Sequence, residues 1–386
     1  MTHRQRVLAA LQRKEPDRVP LDLWGCDSRL VDGFYFKVLE HLGWDQRGDL
    51  ERPGKTAQYV DYRLSDLFDV DFRHLTAGKP KNFEKHYDAD DNVYDEWGIG
   101  YKFVNECWSV TRHAFAEPDM AALRKHKWPV VRDPGRIEGL ARQARDWHEN
   151  TDYAITTTTP ISGVIMDIYH YLRGTEQFCT DLYLHTKFAE ALIDKIADIV
   201  TELYVYFITP VAPYLTWVEF ASDFGTQAGA FMSEEMYREF LLKPMARIFD
   251  AVRKAAPQAK IFLHSCGSVR SLIPAFIDTG VDILSALQPL ARDMDSAELK
   301  REFGRDILFH GGIDLQQAMT GSKAQTIEET KRRIADYGPG GGYILAPSNH
   351  LTSDVPVENF FALYETALQC GTYPLSNQEP GSACSR

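Results

Sequence analysis

The sequence predicts an α/β protein built as a (β/α)8 TIM barrel, with an N-terminal helical and β-hairpin extension. Three observations carry this reading. From residue 153 onward, short apolar segments alternate with longer helical ones, which is the rhythm of βαβ units and a parallel sheet. The length, 386 residues, suits such a barrel with additions. The doubly wound alternative wants a Gly-rich phosphate turn after an early strand, whereas Gly338-Pro-Gly-Gly-Gly342 precedes a strand and reads as a loop.

Taken in order, residues 3–14 carry an amphipathic helical pattern stopped by Pro16, and 18–24 read as extended. A helix ends over 65–70, and 70–75 form a strand. Between 92 and 116, aromatic and polar residues alternate around Gly98 and Gly100, which predicts a hairpin whose Trp and Tyr side chains serve as lid or packing. The Pro- and charge-rich stretch 125–134 leads into a helix over 135–150. Strands are then predicted at 153–159, 216–222, 260–266, 281–286, 307–311 and 342–347. Helices fall at 178–208, 233–255, 268–279, 292–303 and 324–337. The last of these starts at Thr326, whose spacing to Glu329 is that of a capping box. A closing helix covers 356–370, and 376–386 fray. With 70–75 these are seven strands, and 18–24 supplies the eighth that a closed barrel needs. Residues 1–372 are expected to form one domain, with the extension and hairpin inside 1–150 and a tail over 373–386.

Composition excludes several classes. Hydrophobic residues at 44% and charged residues at 25% are ordinary for a globular protein, so disordered, collagen-like and coiled-coil chains are out. The net charge of -12 argues against a general nucleic-acid binder, which needs clustered Lys and Arg. It leaves open a small-molecule substrate, anionic or not. The apolar start of the chain turns charged at Arg13-Lys14-Glu15, too soon for a signal peptide. The apolar stretch near 199–211 is broken by Thr201, Glu202, Thr209 and Pro210, short of the roughly 20 residues of a membrane helix. Six cysteines lie far apart with no CxxC pair. A reduced, cytoplasmic chain with no membrane partner follows.

In a barrel the chemistry belongs at the C-terminal strand ends. Lys260-Ile-Phe-Leu-His-Ser-Cys266 places His264 and Cys266 on one face of a strand, with Gly267 allowing a sharp turn. Imidazole and thiolate are zinc-type ligands, and His350 is a candidate third, with Glu219, Asp223 or substrate as a fourth. The plainer reading is a buried Cys acting as a small hydrophobe beside a hydrogen-bonded His. Glu219 and Asp223 share parity along their strand. A carboxylate facing a barrel interior costs several kcal/mol unless paired or used, so both are catalytic candidates, although Asp223 could instead cap the following turn. His310 precedes two glycines that let a ligand approach the backbone closely. Asp71 and Arg73 share a face, an arrangement that is usually structural, and Asp71 is retained as a catalytic candidate.

The same residues resemble the uroporphyrinogen decarboxylase superfamily, which includes methyltransferases of cobalamin-dependent methyl transfer. The resemblance covers nearly all of 1–372. It is carried by Arg4-Gln-Arg-Val-Leu-Ala-Ala-Leu with Pro16-Asp-Arg-Val-Pro20, Asp66-Leu-Phe-Asp-Val-Asp-Phe-Arg73 and Tyr94-Asp-Glu-Trp-Gly98. Ser222-Asp-Phe-Gly-Thr-Gln227, His264-Ser-Cys-Gly267, Gln288-Pro289, Gly311-Gly-Ile-Asp314 and Gly342-Tyr-Ile-Leu-Ala-Pro-Ser348 continue it. The true decarboxylases carry an Arg-rich motif near the N-terminus for substrate carboxylates. Here the matching stretch, Asp22 to Arg29, has one Arg. The methyltransferase branch binds zinc through His-x-Cys and a later Cys. This chain keeps His264-Ser-Cys266 and has Asn349 nearest to the later position, with His350 next to it. The resemblance therefore implies methyl transfer, with Zn²⁺ on His264, Cys266 and His350 or a carboxylate, and a corrinoid presented by a partner protein. A uroporphyrinogen-type decarboxylase using Asp71 or Asp223 is the rival, and a non-catalytic corrinoid or methyl-carrier binder the third reading.

Overall fold

The computed structural model describes residues 1–375 apart from 26, 27, 53, 105 and 106. The stretch expected to fray, 376–386, lies outside the described residues. Seven barrel strands run β1 (Phe72–Leu75), β2 (Ala154–Thr157), β3 (Trp217–Ala221), β4 (Lys260–His264), β5 (Ile283–Ser285), β6 (Leu308–Ile313) and β7 (Tyr343–Pro347). From β3 to β7 they pair in parallel and in chain order, and β1 pairs in parallel with β2.

The remaining joints close the ring. Between β2 and β3, Ile155 bridges Leu215, and the Thr216 N–H donates to the Ile155 carbonyl at 2.7 Å. The eighth stave is the segment 18–23. Its Leu21 bridges Leu345 on β7, and its carbonyl accepts the Asp71 N–H beside β1 at 2.9 Å. The segment expected to complete the barrel does so, by backbone bonds too few to make a regular strand. Its proline explains this, since Pro20 has no N–H to donate.

Strand alternation sorts the side chains. Phe72, Ala154, Trp217, Phe262, Ile283, Leu308 and Ile344 meet inside the barrel in one cluster that also takes Val7 and Leu11. The helix His3–Leu11, started by a Thr2–Gln5 capping box, thereby plugs the N-terminal end. The outer faces of the strands pack under helices such as Thr186–Ile208 and Leu242–Ala255, which hold the larger apolar core. At the opposite end, His86–Tyr87, Val93–Tyr94, Gly100–Val104 and Cys107–Arg112 form a four-stranded antiparallel sheet. Phe103 and Trp108 from that sheet line the cavity at the C-terminal mouth. The extension therefore covers both ends of the barrel.

Four sequence expectations need correction. The helix predicted to start at Thr326 starts at Lys323: Ser322 caps it, and Gln325 makes the reciprocal bond expected of Glu329. The Glu329 carboxylate is instead engaged by Arg333. The helix predicted over 178–208 is two, Thr175–Leu184 and Thr186–Ile208, parted at His185, whose backbone leaves the helical region. Cys370 is disulfide-bonded, so the cysteines are not all reduced. Finally, Asp71 is not at the mouth. It precedes β1 at the N-terminal end, on the side opposite the inward Phe72. There it accepts from Arg6 Nη1 at 2.6 Å, from Arg18 Nη1 at 2.7 Å and from the Leu21 N–H at 2.7 Å. Its supposed neighbour Arg73 pairs with Asp66 at 2.6 Å and stacks on Tyr153.

Removing one member of a buried ion pair leaves the other charge stranded. Asp71→Ala is expected to lower the unfolding free energy by about 3–5 kcal/mol, measured by urea unfolding, since it strands Arg6 and Arg18 and loosens the closing stave. A loss under about 1 kcal/mol, the range of an exposed pair, would show that the ring does not depend on this carboxylate.

Candidate functional site

Three of the sequence-predicted residues meet at the C-terminal mouth. β4 ends on His264, and the chain turns at once through Ser265, Cys266 and Gly267. Asp223 follows β3 and reaches across to accept the Cys266 N–H at 2.8 Å. His264 Nε2 lies 3.2 Å from Cys266 Sγ and 3.7 Å from Asp223 Oδ1. The ligand atoms of Asp223, His264 and Cys266 all lie within 4.8 Å of one another. Neighbouring ligands of a tetrahedral zinc stand about 3.3–3.8 Å apart, from bond lengths of ~2.0–2.3 Å; the two His264 separations are close to that range, and the donor types are those of zinc.

The turn owes its shape to two glycines. Gly267 has φ +80°, and a Cβ there would lie 2.5 Å from the backbone of Gly225. A Cβ on Gly225 would lie 2.7 Å from the Cys266 carbonyl oxygen. Two side-chain amides then reach the sulfur. Asn349 Nδ2 donates to Cys266 Sγ at 3.3 Å and Gln288 Nε2 at 3.5 Å. Gln288 is itself fixed, its Oε1 accepting from the Gly267 N–H and from Gln227 Nε2.

His350 is not brought into this group. Asn349 points at the sulfur, while His350, one residue on, accepts the Arg29 N–H through Nδ1 at 3.2 Å. The carboxylate of Asp223 takes the third position that His350 had been offered for. His350 lines the mouth cavity, about 1350 Å³, together with Gln288, Leu290, Asn349, Phe103 and Trp108.

Glu219 and His310 sit deeper, in a buried polar layer that sequence reasoning only half found. Its centre is Asp22, on the closing stave, which has no exposed surface. His74 Nε2 lies 2.8 Å from one Asp22 oxygen and His310 Nε2 2.9 Å from the other. His74 Nδ1 meets Thr156 Oγ1 at 2.6 Å and faces Glu219 Oε1 at 3.4 Å. Trp217 Nε1 donates to that same Glu219 oxygen at 3.2 Å, and Ser285 Oγ meets His310 Nδ1. Burial works against the charged forms, but the partners win. His74 is pushed up to about 9 by Asp22 and Glu219, and Asp22 is held down to about 2 by His74 and His310. Asp22 had been noticed only as part of a matching stretch, and His74 not at all as a site residue. The alternation that puts Phe72 inside puts His74 inside too, which was the available signal.

Asp167 was also missed. It lies in the first turn of the helix Ile165–Arg173, where an acidic residue reads as ordinary helix chemistry. Its carboxylate accepts Ser222 Oγ at 2.5 Å and the Asp223 N–H at 3.3 Å, which holds the loop that presents Asp223. Burial and the neighbouring Asp223 push it up to about 6.

Comparisons with known proteins bear on the family and the fold. A sequence model of the family described as Uroporphyrinogen decarboxylase (URO-D) matches residues 137–369, more than half of the chain. The uroporphyrinogen decarboxylase of Shewanella loihica is 30% identical over 156 residues, 40% of this chain and 40% of that protein. Uroporphyrinogen decarboxylase 2, chloroplastic, of Arabidopsis thaliana is 29% identical over 163 residues, 40% of this chain and 39% of that one. The match thus spans about two fifths of these relatives' length. Among solved structures, a methyltransferase from Methanosarcina mazei superposes with a TM-score of 0.63 over 95% of this chain and 98% of that one, at 16% identity, a likeness of fold. No helix among the described residues is long and apolar enough to cross a membrane.

The polar layer makes stability depend on pH in a stated direction. His74, raised from 6.5 to about 9, contributes fully below pH 6.5 and loses its contribution as pH rises toward 9. Asp22, lowered from 3.8 to about 2, contributes above 3.8 and loses it as pH falls toward 2. Urea unfolding of the native chain and of His74→Gln should differ by about 3 kcal/mol at pH 6, with the gap shrinking toward pH 9. A gap that stays constant from pH 6 to 9 would mean that His74 is neutral in the folded state.

Proposed function

The chain belongs to the uroporphyrinogen decarboxylase family, and within it we propose an enzyme of methyl transfer. It moves a methyl group between a small methylated molecule, or a thiol or folate acceptor, and a corrinoid held by a partner protein. The observation that carries this reading is the Asp223–His264–Cys266 trio at the C-terminal mouth, with two amides on the sulfur. A methyl group leaves a heteroatom as a formal cation, the bond pair staying behind. What such a site must supply is stabilisation of that heteroatom or of an attacking thiolate.

His264 Nε2, Cys266 Sγ and an Asp223 oxygen would hold Zn²⁺, leaving a position for substrate. When bound, the ion lowers a thiol's pKa or polarises the methyl-bearing heteroatom. The chain's own residues do the rest. Asn349 and Gln288 donate to the Cys266 sulfur and so favour thiolate over thiol. The Cys266 N–H fixes Asp223, which Asp167 holds from behind through Ser222 and the Asp223 N–H. The lid residues Phe103 and Trp108 narrow the access of water to the cavity.

Decarboxylation of uroporphyrinogen or a similar acid is the second reading, favoured by the names of the curated relatives. It rests on Arg29, the one arginine of the stretch that matches the family's substrate-carboxylate motif. Arg29 Nη1 is buried without a hydrogen-bond partner, while Nε and Nη2 turn to the Gly25 carbonyl and Thr76, and Glu51 lies 3.6 Å from Nη2. That leaves room for one carboxylate, where a substrate with many needs several cations.

Metal analysis of untagged protein is expected to give zinc near one equivalent, lost in Cys266→Ser. Asn349→Cys, which adds a thiolate beside Cys266, should tighten zinc binding by about tenfold or more. In turnover assays, methylation of a corrinoid protein supports the proposal. Release of carbon dioxide from uroporphyrinogen would replace it with the second reading, and tight corrinoid-protein binding without turnover with a carrier-binding role. Full methyl-transfer activity in metal-free protein would remove zinc from the scheme and leave the thiolate.

A further inference from the structure

A second cavity, of about 240 Å³, lies between the four-stranded lid sheet and the loop and helix that follow β2. It shares Gly54, Lys55 and Trp108 with the mouth cavity, so the two adjoin. Five aromatic side chains line it: Tyr94, Trp97, Tyr101, Trp108 and Tyr171. Trp97 belongs to the apolar core and Tyr101 packs against it, so these walls are held by the fold itself.

Two ammonium groups stand at its rim. Lys55 Nζ donates to Ser162 Oγ at 2.9 Å. Lys85 Nζ lies over the Trp108 ring, 5.9 Å from its centroid, and 3.7 Å from where a Cβ on Gly54 would be. The nearest lining carboxylates are already committed. Asp95 accepts the Trp97 and Ile99 N–H groups and the Tyr101 hydroxyl, and Glu96 pairs with Arg136. Outside the Glu96–Arg136 pair, the cavity lining sets two lysines, Lys55 and Lys85, against one carboxylate, Asp95. Lost hydration and the facing charges of Arg52 and Lys85 hold Lys55 down to about 8, against the pull of Asp95. An aromatic box of this kind favours a cation when empty of them. Here Lys85 already stands over Trp108, so a second cation would be repelled and an anion welcomed.

We propose that this cavity is a binding site for a planar aromatic carboxylate, its ring held among the Tyr and Trp side chains and its carboxylate between Lys55 and Lys85. The ring's faces match the aromatic walls by stacking and edge contacts, and charge-assisted bonds to the two lysines fix the head group. Adjoining the mouth cavity, the site would place such a molecule as a methyl donor or acceptor. That use rests on the methyl-transfer reading; the binding does not.

Benzoate titrated into the full chain tests it, followed by calorimetry and by the fluorescence of Trp97 and Trp108. The expected result is saturable binding that weakens about tenfold in Lys55→Met and in Lys85→Met, and also weakens when cyclohexanecarboxylate replaces benzoate. Neither lysine is part of the buried core, so neither variant threatens the fold. Binding should persist in Cys266→Ser, which separates this site from the reaction proposed above. No saturable binding of benzoate would overturn the proposal. So would benzyltrimethylammonium binding as tightly as benzoate, or unchanged benzoate affinity in the Lys55→Met, Lys85→Met double variant.

Discussion

The ring is closed by one short irregular segment, and the Asp71 carboxylate is what holds that segment in place. Residues 18–23 have backbone bonds to β7 on one side and to Asp71 on the other. The Asp71 side chain adds the Leu21 N–H and ties Arg18, on the stave itself, to Arg6 on the plug helix. One buried carboxylate thus joins the closing stave, the first strand and the N-terminal helix. Asp22, which the stave carries into the interior, depends on this joint. A buried ion pair is weak evidence of net stability. Its worth here is that it specifies which segment completes the barrel.

Above the apolar plug, the barrel interior changes character abruptly. The layer with Phe72, Trp217 and Phe262 is apolar, and the next is made of Asp22, His74, Glu219, Ser285 and His310. Polar groups so deep persist because each is matched: one aspartate between two imidazoles, one glutamate between an indole N–H and an imidazole. Such a layer is costly if any member is lost and rigid when complete. It gives the end of β4, where His264 sits in register with Ser285, an unyielding floor.

Much of this was legible from residues alone. The strand–helix rhythm placed the barrel strands because apolar runs bounded by polar helices admit few other architectures. The pair His264 and Cys266 was found because period-two alternation puts i and i+2 on one face. Asp223 followed from parity with Glu219. What could not be read were contacts between residues far apart in the chain. Asp22 and His310 are separated by most of its length, and nothing local to either marks a partner. Asp71 misled because its strand position was read without its direction: alternation sends it outward, and it lies before the strand rather than after it. His350 misled in the same way, being a good ligand type one residue from the position that faces the sulfur.

The crossing of Gly225 and Gly267 has a consequence for how this scaffold diversifies. At that point two loops touch backbone to backbone, and neither position has room for even a methyl group without moving the other loop. The thiol's setting is thereby closed to gradual change, because any first step displaces Cys266 and the loop of Asp223 together. The lid has no such lock. Its rings Tyr94, Tyr101, Phe103 and Trp108 stand on the lid sheet, and its lysines on the loops beside it, where side chains can be exchanged singly. Relatives built on this plan are free to vary in what they admit while retaining what they do to it, so novelty in this lineage is expected to accumulate in the lid long before it reaches the floor of the mouth.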